Sequence, residues 1–291
     1  MKINTLAKHG NLKKIEALLS EQPELVHAVD KSGCTPLHCA SDYNVLALLL
    51  AREADVNAQN EFGATALDYC AAHGLMKQME LLIDKGASVD IQDARGRTPI
   101  FYTTRTENPE AAKLLVSNGA DVNARDANGR SALHYAAQEG VVEFVEALIN
   151  LGADVDLKDN DGWTALYLSA GEGFPEVTEA LIGSGAVVSI QDDMGMTPLH
   201  LAMMYADDET AYMLLDNGAD INVANIDGNT PAHMAALTYC AEALDDLAEY
   251  DADMNVKNKM GLTPAEMFLV MDLYRSIHER DCDYVDELQV A

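Results

Sequence analysis

A block of 33 residues recurs along this chain, and that period constrains the fold more than any other feature. Residues 126–158 set the pattern, 159–191 follow it, and 93–125 precede it in the same register. A period of this length marks stacked supersecondary units, each unable to bury its apolar face alone. Within 126–158, Asn128 and Gly129 signal a turn, and Ser131 stands where a helix N-cap belongs. Sister units place Thr197-Pro198 and Thr230-Pro231 there, a capping hydroxyl followed by a proline suited to the first helical position. Leu133, Ala136 and Ala137 predict a short helix with a small-residue face, ended by Gly140. Val142, Val145, Leu148 and Ile149 predict a second, amphipathic helix, closed by Gly152. Ala153–Asp156 is expected to run out as an extended finger toward the next turn.

These residues carry a family resemblance. The motif Thr-Pro-Leu-His stands intact at Thr35–His38 and Thr197–His200, and in variant form at Thr230–His233 and Ser131–His134. The finger motif Gly-Ala-Asp-Val-Asn stands at Gly119–Asn123 and, with isoleucine, at Gly218–Asn222. The unit resembles the ankyrin repeat over nearly the whole chain. The resemblance implies an all-α ankyrin-repeat solenoid of about nine helix-turn-helix units with hairpin-like finger loops, caps included. It further implies that the repeated histidines hold the turns, that fingers such as those at Asn57, Asn123 and Asn222 are open to asparagine hydroxylation, and that partners sit on the concave side. A purely structural asparagine fits those three positions equally well.

The repeat predicts one domain over 1–291. An atypical first unit, 1–29, has the one-sided apolar pattern of a cap, with Ile15, Leu18 and Leu19 on its second helix. Units follow at 30–59, 60–92, 93–125, 126–158, 159–191, 192–224 and 225–257, and a C-terminal cap at 258–291 carries Arg275, Glu279, Arg280 and the acidic run 281–287. The unit 30–59 is three residues short, and the loss around Ser41–Val45 is expected to tighten the loop between its two helices. Pro109 and Pro175 share one slot, the first turn of a second helix, which supports the register independently.

The net charge of −29 disfavours nucleic acid and anionic membranes as partners. No window approaches the roughly 18 apolar residues of a membrane span, and the N-terminal stretch has no uninterrupted apolar run of a secretory signal. Cys34, Cys39, Cys70, Cys240 and Cys282 form no Cys-x-x-Cys pair, so reduced thiols and a cytoplasmic setting are expected. A secretion route that reads a folded or C-terminal signal would leave no mark here. Of eight histidines, His38, His134, His200 and His233 fill the repeat slot. The other four make no metal-binding pattern. No nucleophile motif, phosphate loop or dinucleotide fingerprint is present, so neither a catalytic residue nor a cofactor is expected.

Exposed slots that the repeat does not dictate carry the information about a partner. Five of the eight arginines lie between 95 and 130. Arg95, Arg97, Arg105 and Arg130 are expected on the concave side, where their planar forks would suit carboxylate or phosphate. Pairing with neighbouring acids is the plainer account of the same residues. Phe62, Trp163, Met194, Met196, Met204 and Tyr205 supply the apolar and aromatic types favoured at interfaces. The single tryptophan, Trp163, is expected to stack on the next fingertip. The sequence thus predicts a monomer that binds a protein segment with acidic then apolar residues. The alternatives are a small anionic or phosphorylated ligand held by the arginines, and an enzyme whose machinery the repeat conceals.

Overall fold

The computed structural model describes residues 3–238 and 241–273. The cysteines at 240 and 282, His278, and the cap residues from 274 onward, with Arg275, Glu279, Arg280 and the run 281–287, lie outside them. Among the described residues the regular structure is helical throughout, with no strand. The chain divides into two compact units, residues 1–136 with 141–157, and residues 137–140 with 158–291.

In the first unit the helices are α1 (Ile3–Lys8), α2 (Leu12–Glu21), α3 (Pro36–Cys39), α4 (Tyr43–Ala51), α5 (Ala66–Ala72), α6 (Met76–Asp84), α7 (Pro99–Thr103) and α8 (Pro109–Ser117). The unit also takes in the start of α9 (Ala132–Glu139) and all of α10 (Val142–Asn150). The first helices α1, α3, α5 and α7 pack in succession, and behind them α2 lies on α4, α4 on α6, and α8 on α10. The second unit continues with α11 (Ala165–Glu172), α12 (Pro175–Gly183), α13 (Pro198–Met204), α14 (Asp208–Asp216), α15 (Pro231–Leu237) and α16 (Ala241–Glu249). There α11, α13 and α15 form the row of first helices. Residues 264–273 are helical as well. Among these helices, none is long and apolar enough to cross a membrane.

Small residues set how closely the first helices approach. Ala40, Cys70, Thr103, Ala136, Ser169, Ala202 and Ala235 fill one repeat slot, and all are at most 1% exposed. The second helices contribute the larger apolar side chains, such as Ile15, Leu49, Leu82, Leu115 and Leu148, all wholly buried. Burying one such side chain stabilises by roughly 1.5–3 kcal/mol.

Two sequence expectations are corrected here. The stretch 153–156, expected to run extended, bends into a turn at 155–156, where Asp154 Oδ1 accepts the Asp156 amide (3.0 Å). The turns expected at sites such as Asn128 and Gly129 form. Each opens with an Asp or Asn whose Oδ1 accepts two backbone amides, two and four residues on: Arg95 and Arg97 on Asp93 (2.8 and 2.9 Å), Met194 and Met196 on Asp192 (2.9 and 2.7 Å). The same closure recurs at Asp30, Asn60, Asp126, Asp159, Asn225 and Asn258. The side chain thereby reinforces the backbone bond that crosses each turn, such as Asp93 N–H to the Arg97 carbonyl (2.9 Å). Successive fingers join by single backbone bonds, Ala94 N–H to the Phe62 carbonyl (2.8 Å) and Ile226 N–H to the Met194 carbonyl (2.9 Å).

The second correction concerns the short unit. Three residues, 40–42, join α3 to α4, as many as the 73–75 that join α5 to α6. The loss is taken from the helix, since α3 has 4 residues where α5 has 7. A chain reversal needs its linking residues, whereas a helix can give up close to one turn without rotating its buried face. Asp42 then caps α4, accepting from Asn44 and Val45 (both 3.0 Å).

The repeated histidines stitch units together. Nδ1 of His38 accepts the Thr35 amide (3.1 Å), so Nε2 carries the proton and donates to the Ala64 carbonyl (2.9 Å). His200 reaches the Asn229 carbonyl (3.1 Å) and His233 the Leu262 carbonyl (3.0 Å) in the same way. Burial pushes all three imidazoles below their ordinary 6.5, against the opposing pull of those carbonyls. The unfolded chain therefore takes up protons that the fold refuses. This stability is complete above pH 6.5 and declines as pH falls below it. Asp68 runs the other way: burial pushes its carboxyl up to about 7, so its contribution is lost as pH rises toward neutrality. In an Asp68→Asn variant, freed of that opposition, the urea midpoint is expected to drop steadily between about pH 7 and about pH 5. A flat profile would show that the imidazoles titrate normally.

Candidate partner-binding surface

The finger closure decides which side chains face outward. The residue two past the opening Asp or Asn gives its amide to the turn and projects its side chain away from it. Phe62 and Met194, both in this slot, are 64% and 53% exposed. Arg95 shares the slot and is exposed, and Arg105, in the 3-10 turn Thr104–Thr106 that prolongs α7, is exposed as well.

Arg97 and Arg130 are engaged within the fold. Arg97 is ion-paired with Asp93 (2.9 Å), and its guanidinium also donates to the Tyr102 hydroxyl (3.0 Å) while lying 4.8 Å from that ring's centre. Tyr102 O–H donates to the same carboxylate (2.6 Å). Burial alone would push the Asp93 carboxyl up; the hydrogen bonds from Tyr102, Arg97 and the Arg95 amide outweigh it and hold the group below its ordinary range. Arg130 repeats the theme half-buried, 6.0 Å from the Tyr135 ring, whose hydroxyl donates to Asp126 (2.6 Å). The local-pairing account therefore holds for Arg97.

In the second unit Trp163, just ahead of α11, is half-buried and stacks on Tyr167 of that helix, with ring centres 5.5 Å apart. Tyr167 lies in the first turn of α11, four residues on, which brings the two rings together. Tyr167 is itself fixed to Asp192 of the following finger (2.7 Å). Met196 is half-buried, with Sδ accepting from Asn225 (3.2 Å). Met204 is half-buried at the end of α13, and Tyr205, next to it, is 62% exposed. Among the ten candidates, Phe62, Arg95, Arg105, Met194 and Tyr205 present open surface.

The asparagines at the fingers have structural partners. Asn57 Oδ1 accepts from Ser88 (2.8 Å), Asn123 Oδ1 from Asp154 (2.8 Å) and Asn222 Oδ1 from Asp253 (2.8 Å), each in the following unit. Among the described residues no three His, Cys, Asp or Glu side chains converge as a metal site.

The structure adds a cavity of about 370 Å³ on the first-helix face of the first unit. Cys39, Asp68, Tyr69 and Ala72 line it, together with Lys8, His73 and Arg105. It lies where α3 ends a turn early, beside the ends of α1 and α5. Of these residues only Arg105 is among the partner-binding candidates read from the sequence. The signal for the rest was the three-residue shortening beside an aspartate in the histidine slot at Asp68.

No curated protein matches the chain at a significant level. A family model described as ankyrin repeats (three copies) matches residues 3–93, 41–126, 67–159, 143–225 and 173–258. With the recurring turn, paired helices and histidine bridge, these matches show that the chain belongs to the ankyrin-repeat family.

Proposed function

We propose that this chain is a protein-recognition module that receives a partner on its fingertips and first-helix faces. Ankyrin repeats are in general protein–protein interaction modules, and one observation here carries the reading furthest. Phe62, Met194 and Met260 occupy the same finger slot and are 64%, 53% and 69% exposed. The turn closes through backbone and Asp or Asn, so the repeat asks nothing of these side chains. Large apolar groups held out in water at a slot free to be polar mark a contact surface.

The partner we infer offers acidic residues to the first unit, where Arg95 and Arg105 are exposed, and apolar residues to the second, where Met194, Ile226 and Tyr205 stand out. A small anionic ligand is the weaker reading, because Arg97 is already committed to Asp93. We read the module as a cytoplasmic monomer that binds rather than catalyses. In support, Cys34, Cys39 and Cys70 are free thiols, and burial pushes Cys70 up to about 12.

Peptides selected from a random display library on the full chain provide the test. Against a Phe62→Asp, Met194→Asp double variant their affinity is expected to fall at least about ten-fold. The thermal midpoint should be unchanged, since both side chains are exposed. Selected peptides that bind the variant as well as the native chain would overturn the reading.

A further inference from the structure

Between the two caps, position 68 is one of three, with Phe101 and Tyr167, where the histidine slot of the repeat holds another residue, and it is the one that holds a carboxylate. Thr35, Thr197 and Thr230 are each followed by histidine three residues on; Thr65 is followed by Asp68. Its Oδ2 takes over the task of the imidazole Nδ1, accepting from the Thr65 amide (2.7 Å) and hydroxyl (2.9 Å). Oδ1 has no hydrogen-bond partner, although the residue is 1% exposed. A buried carboxylate oxygen left this way is costly and rare.

The second irregularity lies beside the first. The lost turn of α3 leaves the cavity of about 370 Å³, with Asp68 on its lining. This volume falls within the range of ligand pockets, roughly 300–1,000 Å³. Cys39, Tyr69 and Ala72 supply apolar walls, and the exposed Lys8 and Arg105 supply positive charge at the rim. In a chain of net charge −29, that rim is a local exception to the field of the whole protein.

We propose that this cavity receives a tyrosine side chain from an acidic segment of the partner protein, its hydroxyl on Asp68 Oδ1 and its neighbouring carboxylates on Lys8 and Arg105. The proposal rests on the protein-recognition reading and names the anchor within it. The walls suit an aromatic ring. A phenol hydroxyl both donates and accepts, so it serves Oδ1 whether the carboxyl is ionised or protonated; burial pushes that group up to about 7, so both forms are present near neutrality. An indole N–H only donates, and a phenylalanine ring does neither. The acidic flanks follow from charge complementarity at the rim.

The test is titration of the isotope-labelled full chain with capped pentapeptides, followed by amide NMR. A peptide with tyrosine between acidic residues is expected to shift the amides of Lys8, Cys39, Asp68 to His73, and Arg105 in a saturable manner. The phenylalanine-centred counterpart should bind about ten-fold more weakly, since it leaves Oδ1 unpaired. A tyrosine peptide with lysine flanks should not bind. Asp68→His, which restores the residue of the sister units, is expected to raise the thermal midpoint and abolish the preference for tyrosine over phenylalanine. Absent shifts at these amides, equal affinity for the two acidic peptides, or binding of p-cresol as tight as that of the acidic peptide would each overturn the proposal. The peptide comparison on the native chain decides it without any variant. Failure here, with the Phe62→Asp, Met194→Asp effect intact, would remove the anchor and leave the wider recognition surface standing.

Discussion

Replacing Asp93 with alanine is expected to lower stability by about 3 kcal/mol, measured as a shift of the urea midpoint at constant slope. Asp93 is 8% exposed, and its carboxylate accepts five hydrogen bonds at once. Oδ1 closes the finger on the Arg95 and Arg97 amides; Oδ2 takes the Arg97 guanidinium and the Tyr102 hydroxyl. Alanine removes all five and leaves the Arg97 guanidinium without the carboxylate it is paired with. Asp93→Asn separates the two tasks. Asn60, Asn225 and Asn258 close their fingers with an amide oxygen at 2.9–3.1 Å, so asparagine should keep the turn and lose only the ion pair. Its cost is expected to be about 1 kcal/mol. Equal losses for alanine and asparagine would show that the charge, not the finger closure, holds this turn.

Phe144→Ala is expected to cost about 4 kcal/mol, the upper part of the range for emptying a buried aromatic site. The ring is 1% exposed on α10 and is the largest of the fully buried side chains. Its repeat slot holds Val45, Gln78, Ala111, Val177, Thr210 and Ala243 elsewhere, none of them aromatic. The surroundings of Phe144 are therefore shaped for one ring, and close packing leaves little freedom for them to collapse. Phe144→Leu should retain most of the stability, losing about 1.5 kcal/mol. A loss below about 2 kcal/mol for the alanine variant, read from chemical unfolding, would mean that the site closes over the cavity.

How much of this could be read from the chain depends on whether a residue follows the period or departs from it. Helix starts at Pro109, Pro175, Pro198 and Pro231, the left-handed glycine at Gly152 and the histidine bridges all recur, and recurrence made them legible. The Asp or Asn that opens each finger recurs just as faithfully at 93, 126, 159 and 192. The turn signal of residues such as Asn128 and Gly129 already accounts for the bend, so the closure of that turn by the aspartate side chain shows only in the structure. Phe144 escaped notice because helical spacing weighs apolar against polar and is blind to size. Among the surface candidates, Arg97 and Arg95 are indistinguishable by type and stand two residues apart. Only the position of the Tyr102 hydroxyl and the Asp93 carboxylate separates a tied arginine from an exposed one.

The sequence by itself determined the class of fold, the turn-helix-helix unit and its register, because each unit repeats the same local chemistry and a local rule needs no knowledge of distant residues. Tertiary structure alone decided that three missing residues shorten a helix, that Trp163 rests on Tyr167, and that Asp68 meets a hollow edged by Lys8 and Arg105. The first two turn on how local side chains and helix ends pack; the last joins residues tens of positions apart, and its geometry exists only once neighbouring repeats have stacked.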